Sequence, residues 1–186
     1  MAQPASSTKF TYEDYLLFPD DGKRHELIGG EHYVTPAPRT KHQKLSGNLH
    51  AAIWLEIQKT KCGQVFAAPT DVVLSDIDVV QPDLLYISSD RASIITEKNI
   101  QGQPDLVVEI LSETTRKTDE IIKRKLYERH QIPEYWIIDP ELETVKIYRL
   151  TDQGYTRTAE LSLEANATLT TPLFPNWELS LQQLFA

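Results

Sequence analysis

The sequence predicts an α/β fold built on a mixed β-sheet, and three stretches carry that expectation. From Pro104 to Asp139 an apolar run, a charged amphipathic segment and a second apolar run read as strand, helix and strand. A crossover helix between two such strands makes them parallel. Gly29-Gly30 and Asp152-Gln153-Gly154 each sit between alternating segments and read as hairpin turns, which adds antiparallel strands to the same chain. Leu45, Leu49, Ile53 and Ile57 recur every four residues and mark a long helix that lays one apolar stripe on the sheet.

In order, Met1 to Thr8 is small and polar and is expected to fray. Thr11 caps a short helix that reaches Phe18, and Pro19 to Gly22 end it. Arg24 to Ile28 and Glu31 to Thr35 form the first hairpin, with Arg24 and Glu26 on one face and His25 and Leu27 on the other. Pro36 and Pro38 precede the long helix, about Arg39 to Thr60, with His42 near its start. Gln64 to Ala68, Asp71 to Leu74 and Asp83 to Ile87 read as short strands, Asp76 and Asp78 as marks of a loop, and Ser88 to Gly102 as the longest irregular connection.

Leu106 to Leu111 is a near-continuous apolar strand interrupted by Glu109. Thr115 or Thr118 can cap the helix that follows, which runs to about His130. Ile122 and Leu126 give that helix a buried stripe, and Asp119, Lys123 and Tyr127 form a second row at the same spacing, so Lys123 borders the buried face. Tyr135 to Ile138 is the second strand of the crossover unit, and Tyr135 and Trp136 read as core. Thr144 to Leu150 and Tyr155 to Glu160 extend the sheet as a hairpin, and Leu179 to Phe185 close the chain in a helical turn.

With 186 residues and no repeat or linker, the expectation is one domain over 1–186. A net charge of −8 argues against a protein that grips nucleic acid by its overall charge, though it leaves room for a local cleft of another character. One cysteine, Cys62, excludes an internal disulfide and a cysteine-rich zinc site, and with no bilayer-length apolar run the chain reads as cytoplasmic, with no membrane partner.

The chemistry-bearing candidates are acids. There is no Gly-x-Ser-x-Gly elbow, no phosphate-cradling glycine loop and no histidine pair at metal spacing. An ionised carboxylate at Glu109 is costly inside an apolar strand unless a cation or several donors meet it. Glu26, Asp83, Glu109 and Lys123 lie on three strands and one helix, and carboxylates so placed suit a hard divalent ion, which activates water and neutralises phosphate charge. Each has a structural alternative as well: a buried ion pair for Glu109, a cross-hairpin partner for Glu26, a strand-start residue for Asp83, a solvated helix position for Lys123.

Pro82-Asp83, then Pro104-Asp105-Leu106-Val107-Val108-Glu109-Ile110-Leu111-Ser112, then Asp119, Lys123 and Tyr127 at successive fours, then Pro133-Glu134-Tyr135-Trp136 and Asp139-Pro140 together resemble a large bacterial family of restriction-endonuclease-like proteins, the Uma-two type. Tyr12 to Tyr15, His25 to Glu31, His42 and Leu173-Phe174-Pro175 extend the likeness over nearly the whole chain. That family is placed in the PD-(D/E)XK nuclease superfamily. The resemblance implies a restriction-endonuclease-like core, a four- or five-stranded mixed sheet flanked by helices, with Asp83 and Glu109 as ligands of Mg²⁺ or Mn²⁺ and Glu26 as an accessory acid. It also implies DNA as substrate and a homodimer. The superfamily's lysine belongs two residues after the second acid, where this chain has Leu111; the resemblance implies that the following helix supplies it instead, here as Lys123. Asp105 shares a face with Glu109 and stays open as a ligand or strand cap, and His42 as a contact residue. Two alternatives remain beside the nuclease: a degenerate nuclease fold used for binding or assembly, and a metal-independent acid-pair hydrolase of carbohydrates.

Overall fold

The computed structural model describes residues 9–186, so the fraying expected over Met1 to Thr8 lies outside the described residues. Helix α1 (Tyr12–Tyr15) is followed by the hairpin β1 (Arg24–Ile28) and β2 (Glu31–Thr35), helix α2 (Thr40–Thr60), and strands β3 (Gly63–Ala67), β4 (Val72–Ser75), β5 (Asp78–Val80) and β6 (Leu84–Ser88). After a 3₁₀ turn (Ser89–Ile94) come β7 (Ile100–Gln101), β8 (Leu106–Ile110), a π-helical segment (Thr118–Lys123) running into α3 (Arg124–Arg129), and β9 (Glu134–Asp139). The chain ends with β10 (Thr144–Thr151), β11 (Gly154–Ser162), the short β12 (Thr168–Leu169) and β13 (Leu179–Ser180), and α4 (Leu181–Phe185).

The central sheet has six strands in the order β11-β10-β9-β8-β6-β3, with β8 and β9 parallel and the other neighbours antiparallel. It is wider than the four or five strands the resemblance implied, because the hairpin of β10 and β11 joins its edge beside β9. A second sheet, β2-β1-β5-β4-β7, has five strands. Asp78 therefore opens a strand rather than marking a loop: its carboxylate accepts from Gly29 N at 2.7 Å and Ser75 Oγ at 2.9 Å, which satisfies an acid that would otherwise be costly to bury.

Alternation along the strands gives the central sheet two apolar faces. Leu84, Tyr86, Leu106, Val108, Ile110, Trp136 and Ile138 pack against the stripe of α2 formed by Leu45, Leu49, Ile53 and Ile57. Leu85, Ile87, Val107, Tyr135 and Ile137 face the other way, onto Leu126 and Tyr127 of α3 and onto Ile28, Val72 and Val80 of the second sheet. Both faces being covered explains why β8 and β9 are apolar almost without a break. Glu109 is the one side chain of β8 that is charged, and it points into the gap between the two sheets. No helix among the described residues is long and apolar enough to cross a membrane.

Candidate active site

The strand register brings the first two acids together. In the antiparallel pair β6 and β8, Leu84 stands opposite Val108 and Leu85 opposite Val107; continuing by one residue sets Asp83 level with Glu109. Such neighbours have Cβ atoms about 5 Å apart. Ile110 N donates to Asp83 Oδ2 at 2.8 Å, which fixes the carboxylate at that end of the sheet.

Lys123 reaches the same place from the crossover connection. The segment Thr118–Lys123 is π-helical, and the wider turn rotates the row of Asp119, Lys123 and Tyr127 onto the sheet. The second row is buried as deeply as the expected stripe: Asp119, Lys123 and Tyr127 are buried along with Leu126, while Ile122 is half-buried. The expected threonine cap is absent too; Ser112 and Thr115 instead exchange hydrogen bonds within the turn, Thr115 N donating to Ser112 Oγ at 3.2 Å.

Lys123 Nζ donates to Glu26 Oε1 at 2.8 Å and to Glu109 Oε1 at 3.0 Å, and lies 3.8 Å from Asp119 Oδ1. Tyr127 OH donates to the same Glu109 oxygen at 2.7 Å, and Gln81 N to Glu26 Oε1 at 2.8 Å. Asp83 is held by Arg24 Nη1 at 2.5 Å and lies 2.9 Å from His42 Nε2. Glu26, Asp83, Glu109, Asp119 and Lys123 are each at most 5% exposed, yet all line one cleft of about 220 Å³ with Arg24 and His42. Pro36 to Lys41 and Ser112 to Arg116 form its mouth.

Four carboxylates thus share two permanent cations, Arg24 and Lys123, and the excess negative charge shows in the ionisation of Glu109 and Asp119. Burial pushes the Glu109 carboxyl well above its usual range; Lys123 acts against that, and the neighbouring acids add to it. Asp119 is raised to about 6, again first by burial and with Lys123 opposing. Burial acts to strip Lys123 of its proton, but Glu109, Glu26 and Asp119 outweigh it and hold the ammonium charged well past its ordinary value. Asp83 goes the other way: His42 and Arg24 overcome its burial and keep it ionised below the usual carboxylate range.

The donor chemistry suits a hard divalent ion, since Asp83 and Glu109 present carboxylate oxygens from adjoining strands and Mg²⁺ is commonly held by one or two carboxylates, completed by water and phosphate. Among the described residues no three His, Cys, Asp or Glu side chains converge on one metal position.

All four side chains singled out in the sequence, Glu26, Asp83, Glu109 and Lys123, come to this cleft. Glu26 and Arg24 share a face as expected, but they do not pair with each other: one binds Lys123, the other Asp83. Asp105 is elsewhere, accepting from Ser88 N at 2.7 Å and lying 3.2 Å from Arg91 Nε, a strand-end role. Arg24, Asp119 and Gln81 join those four in the cleft; the sequence marks Arg24 only as sharing a face with Glu26, Asp119 only through its spacing to Lys123 and Tyr127, and Gln81 not at all.

The model of a family described as "Putative restriction endonuclease", Uma2, matches residues 12–182. The chain belongs to the Uma2 family. The cleft residues of this Uma2 chain all fall within the matched span. A crystal structure described as a "putative nuclease belonging to DUF820" from Anabaena variabilis ATCC 29413 is similar to it at 22% identity, with a TM-score of 0.79 over 95% of this chain and 97% of that one. At that identity the likeness shows a shared fold alone, and with the family match this Uma2 protein has the restriction-endonuclease-like fold. No curated protein matches the chain.

Proposed function

We propose that the protein is a divalent-metal-dependent endonuclease that hydrolyses DNA phosphodiester bonds, with Glu26, Asp83, Glu109 and Lys123 as its working groups. The observation that carries this reading is the convergence of Lys123 on Glu26 and Glu109 beside Asp83, in a chain whose family is described in terms of restriction endonucleases. Asp83 and Glu109 would hold Mg²⁺ or Mn²⁺. Bound there, the ion supplies a lowered pKa to water and neutralises phosphate charge.

The chain's own groups then have distinct tasks. Lys123 carries an ammonium that donates to the attacking water or to a phosphate oxygen as negative charge builds on it. Glu26 anchors that ammonium, and Tyr127 fixes the rotamer of Glu109. Arg39, Lys41 and Arg116 stand at the mouth, paired with Glu113, Glu141 and Asp139 respectively, and the first turn of α2 beside them contains no acid and no side-chain cap.

One observation favours the inactive binding module as a second reading: Asp83 already has Arg24, His42 and Ile110 N as partners, as a purely structural acid would. Incubation of supercoiled plasmid with the protein in Mg²⁺ or Mn²⁺, against the same mixture in EDTA, separates the two. Metal-dependent nicking supports the nuclease; intact plasmid in every metal, with the protein folded, supports the module.

A further inference from the structure

The two proposed ligands are not equally open. Glu109 uses one oxygen, Oε1, for both Lys123 and Tyr127, and its Oε2 makes no hydrogen bond among the described residues. Asp83 is engaged at both ends: Oδ2 accepts from Ile110 N at 2.8 Å and faces His42 Nε2 at 2.9 Å, while Oδ1 carries the Arg24 guanidinium at 2.5 Å. A carboxylate oxygen has two lone pairs. Those of Oδ2 are both committed, and one of them to the backbone amide of Ile110, which the pairing of β8 with β9 holds in place. The remaining lone pair of Asp83 is therefore on Oδ1, beside a permanent cation whose charge opposes a second one.

Of the two side chains that hold Asp83, Arg24 is more exposed than His42. It stands on β1, which belongs to the second sheet, and its side chain is 17% exposed against 4% for Asp83, so it can swing toward the cleft mouth without opening the core. A guanidinium released there matches the two oxygens of a phosphodiester, the same planar fork that fits a carboxylate.

We infer that Arg24 is a displaceable counterion, which holds Asp83 in the metal-free protein, competes with the divalent ion for Oδ1, and transfers to a backbone phosphate of the nucleic acid when the ion enters. Metal and DNA then favour each other's binding, because each relieves the competition that opposes the other. The inference rests on the proposed metal-dependent reading and deepens it.

Calorimetric titration of Mn²⁺ into the wild-type protein, Arg24→Ala and Arg24→Gln tests it, with circular dichroism confirming that each is folded. Arg24→Gln can still hydrogen-bond to Asp83 without a charge and serves if the alanine variant does not fold. The expected result is Mn²⁺ binding at least tenfold tighter in the variants than in the wild type, or binding in the variants alone. With a short duplex at hand, addition of DNA is expected to tighten Mn²⁺ binding to the wild type and to have a smaller effect on the variants. Equal or weaker Mn²⁺ binding in the variants, with the wild type binding, overturns the role of Arg24 and leaves the metal site standing. No Mn²⁺ binding by any folded form overturns both.

Discussion

Lys123 Nζ and Glu26 Oε1 stand 2.8 Å apart although 97 residues separate them in the chain, and both are buried. The pair ties the crossover connection to the first hairpin across the gap between the two sheets. Lys123→Met keeps the length of the side chain and removes its charge, leaving Glu26 and Glu109 without their cation. Breaking a buried pair in this way costs about 3 kcal/mol or more at neutral pH. The Glu109 carboxyl, already raised by burial, can take up a proton instead, so the loss measured by urea unfolding is expected to shrink near pH 5. An equal loss at both pH values would contradict the pairing.

Asp119 gives the metal-free protein a distinct pH dependence. Its carboxyl is raised to about 6, chiefly by burial, so the folded chain holds that proton more tightly than the unfolded one. The resulting stability is complete below the unfolded value of about 4 and lost as pH climbs through the folded value. Glu109, also raised, acts in the same sense. The melting temperature is expected to fall between about pH 4 and 7. Asp119→Asn should flatten that fall, and an unchanged slope in the variant would exclude Asp119 as its source.

Asp78 titrates with the opposite sign. Arg129 Nη2 donates to both its oxygens at 3.0 Å, and His130 Nε2 lies 2.9 Å away, which links β5 to the end of α3. Burial disfavours its charge, but His130, Gly29 N, Ser75 and Arg129 together hold its carboxyl below the usual range. Its contribution is present above the unfolded value of about 4 and disappears as pH falls through the folded one. Asp78→Asn is expected to lower stability by about 2 kcal/mol at pH 7, with the difference from wild type closing in acid. A difference that widens in acid would refute the assignment.

Gly63 sits where β3 passes β6. A Cβ there would lie 2.2 Å from the Ile87 carbonyl oxygen and 2.7 Å from the Tyr86 ring. Gly63→Ala therefore forces the edge strand outward, and a loss of about 1–3 kcal/mol in urea unfolding is expected. A neutral effect would mean that the strand yields freely.

Much of this architecture is written locally. The four-residue rhythm of Leu45, Leu49, Ile53 and Ile57 specifies α2 and its buried face, and Gly29-Gly30 specifies the first hairpin, because period and turn chemistry act over a few residues. Glu109 announced itself as a charge in an apolar strand. What was not legible depends on distant partners. The strand that begins at Asp78 has only three residues, and its pairing with β1 and β4 is set by tertiary contact rather than by its own composition. The π-helical turn that brings Asp119 inward leaves no local signature, and Arg24 acquires meaning only once the second sheet lies beside Asp83.

The carboxylate of Glu109 is the test of the site as a whole. Glu109→Gln preserves its shape and its hydrogen-bonding reach while removing the charge that burial already penalises, so the variant is expected to melt close to the wild type. Plasmid nicking in Mg²⁺ or Mn²⁺ by the two proteins, compared at equal concentration, should then differ by about 100-fold or more, the loss expected when several kcal/mol of metal-assisted stabilisation disappear. A folded Glu109→Gln protein that nicks DNA as fast as the wild type would contradict the account.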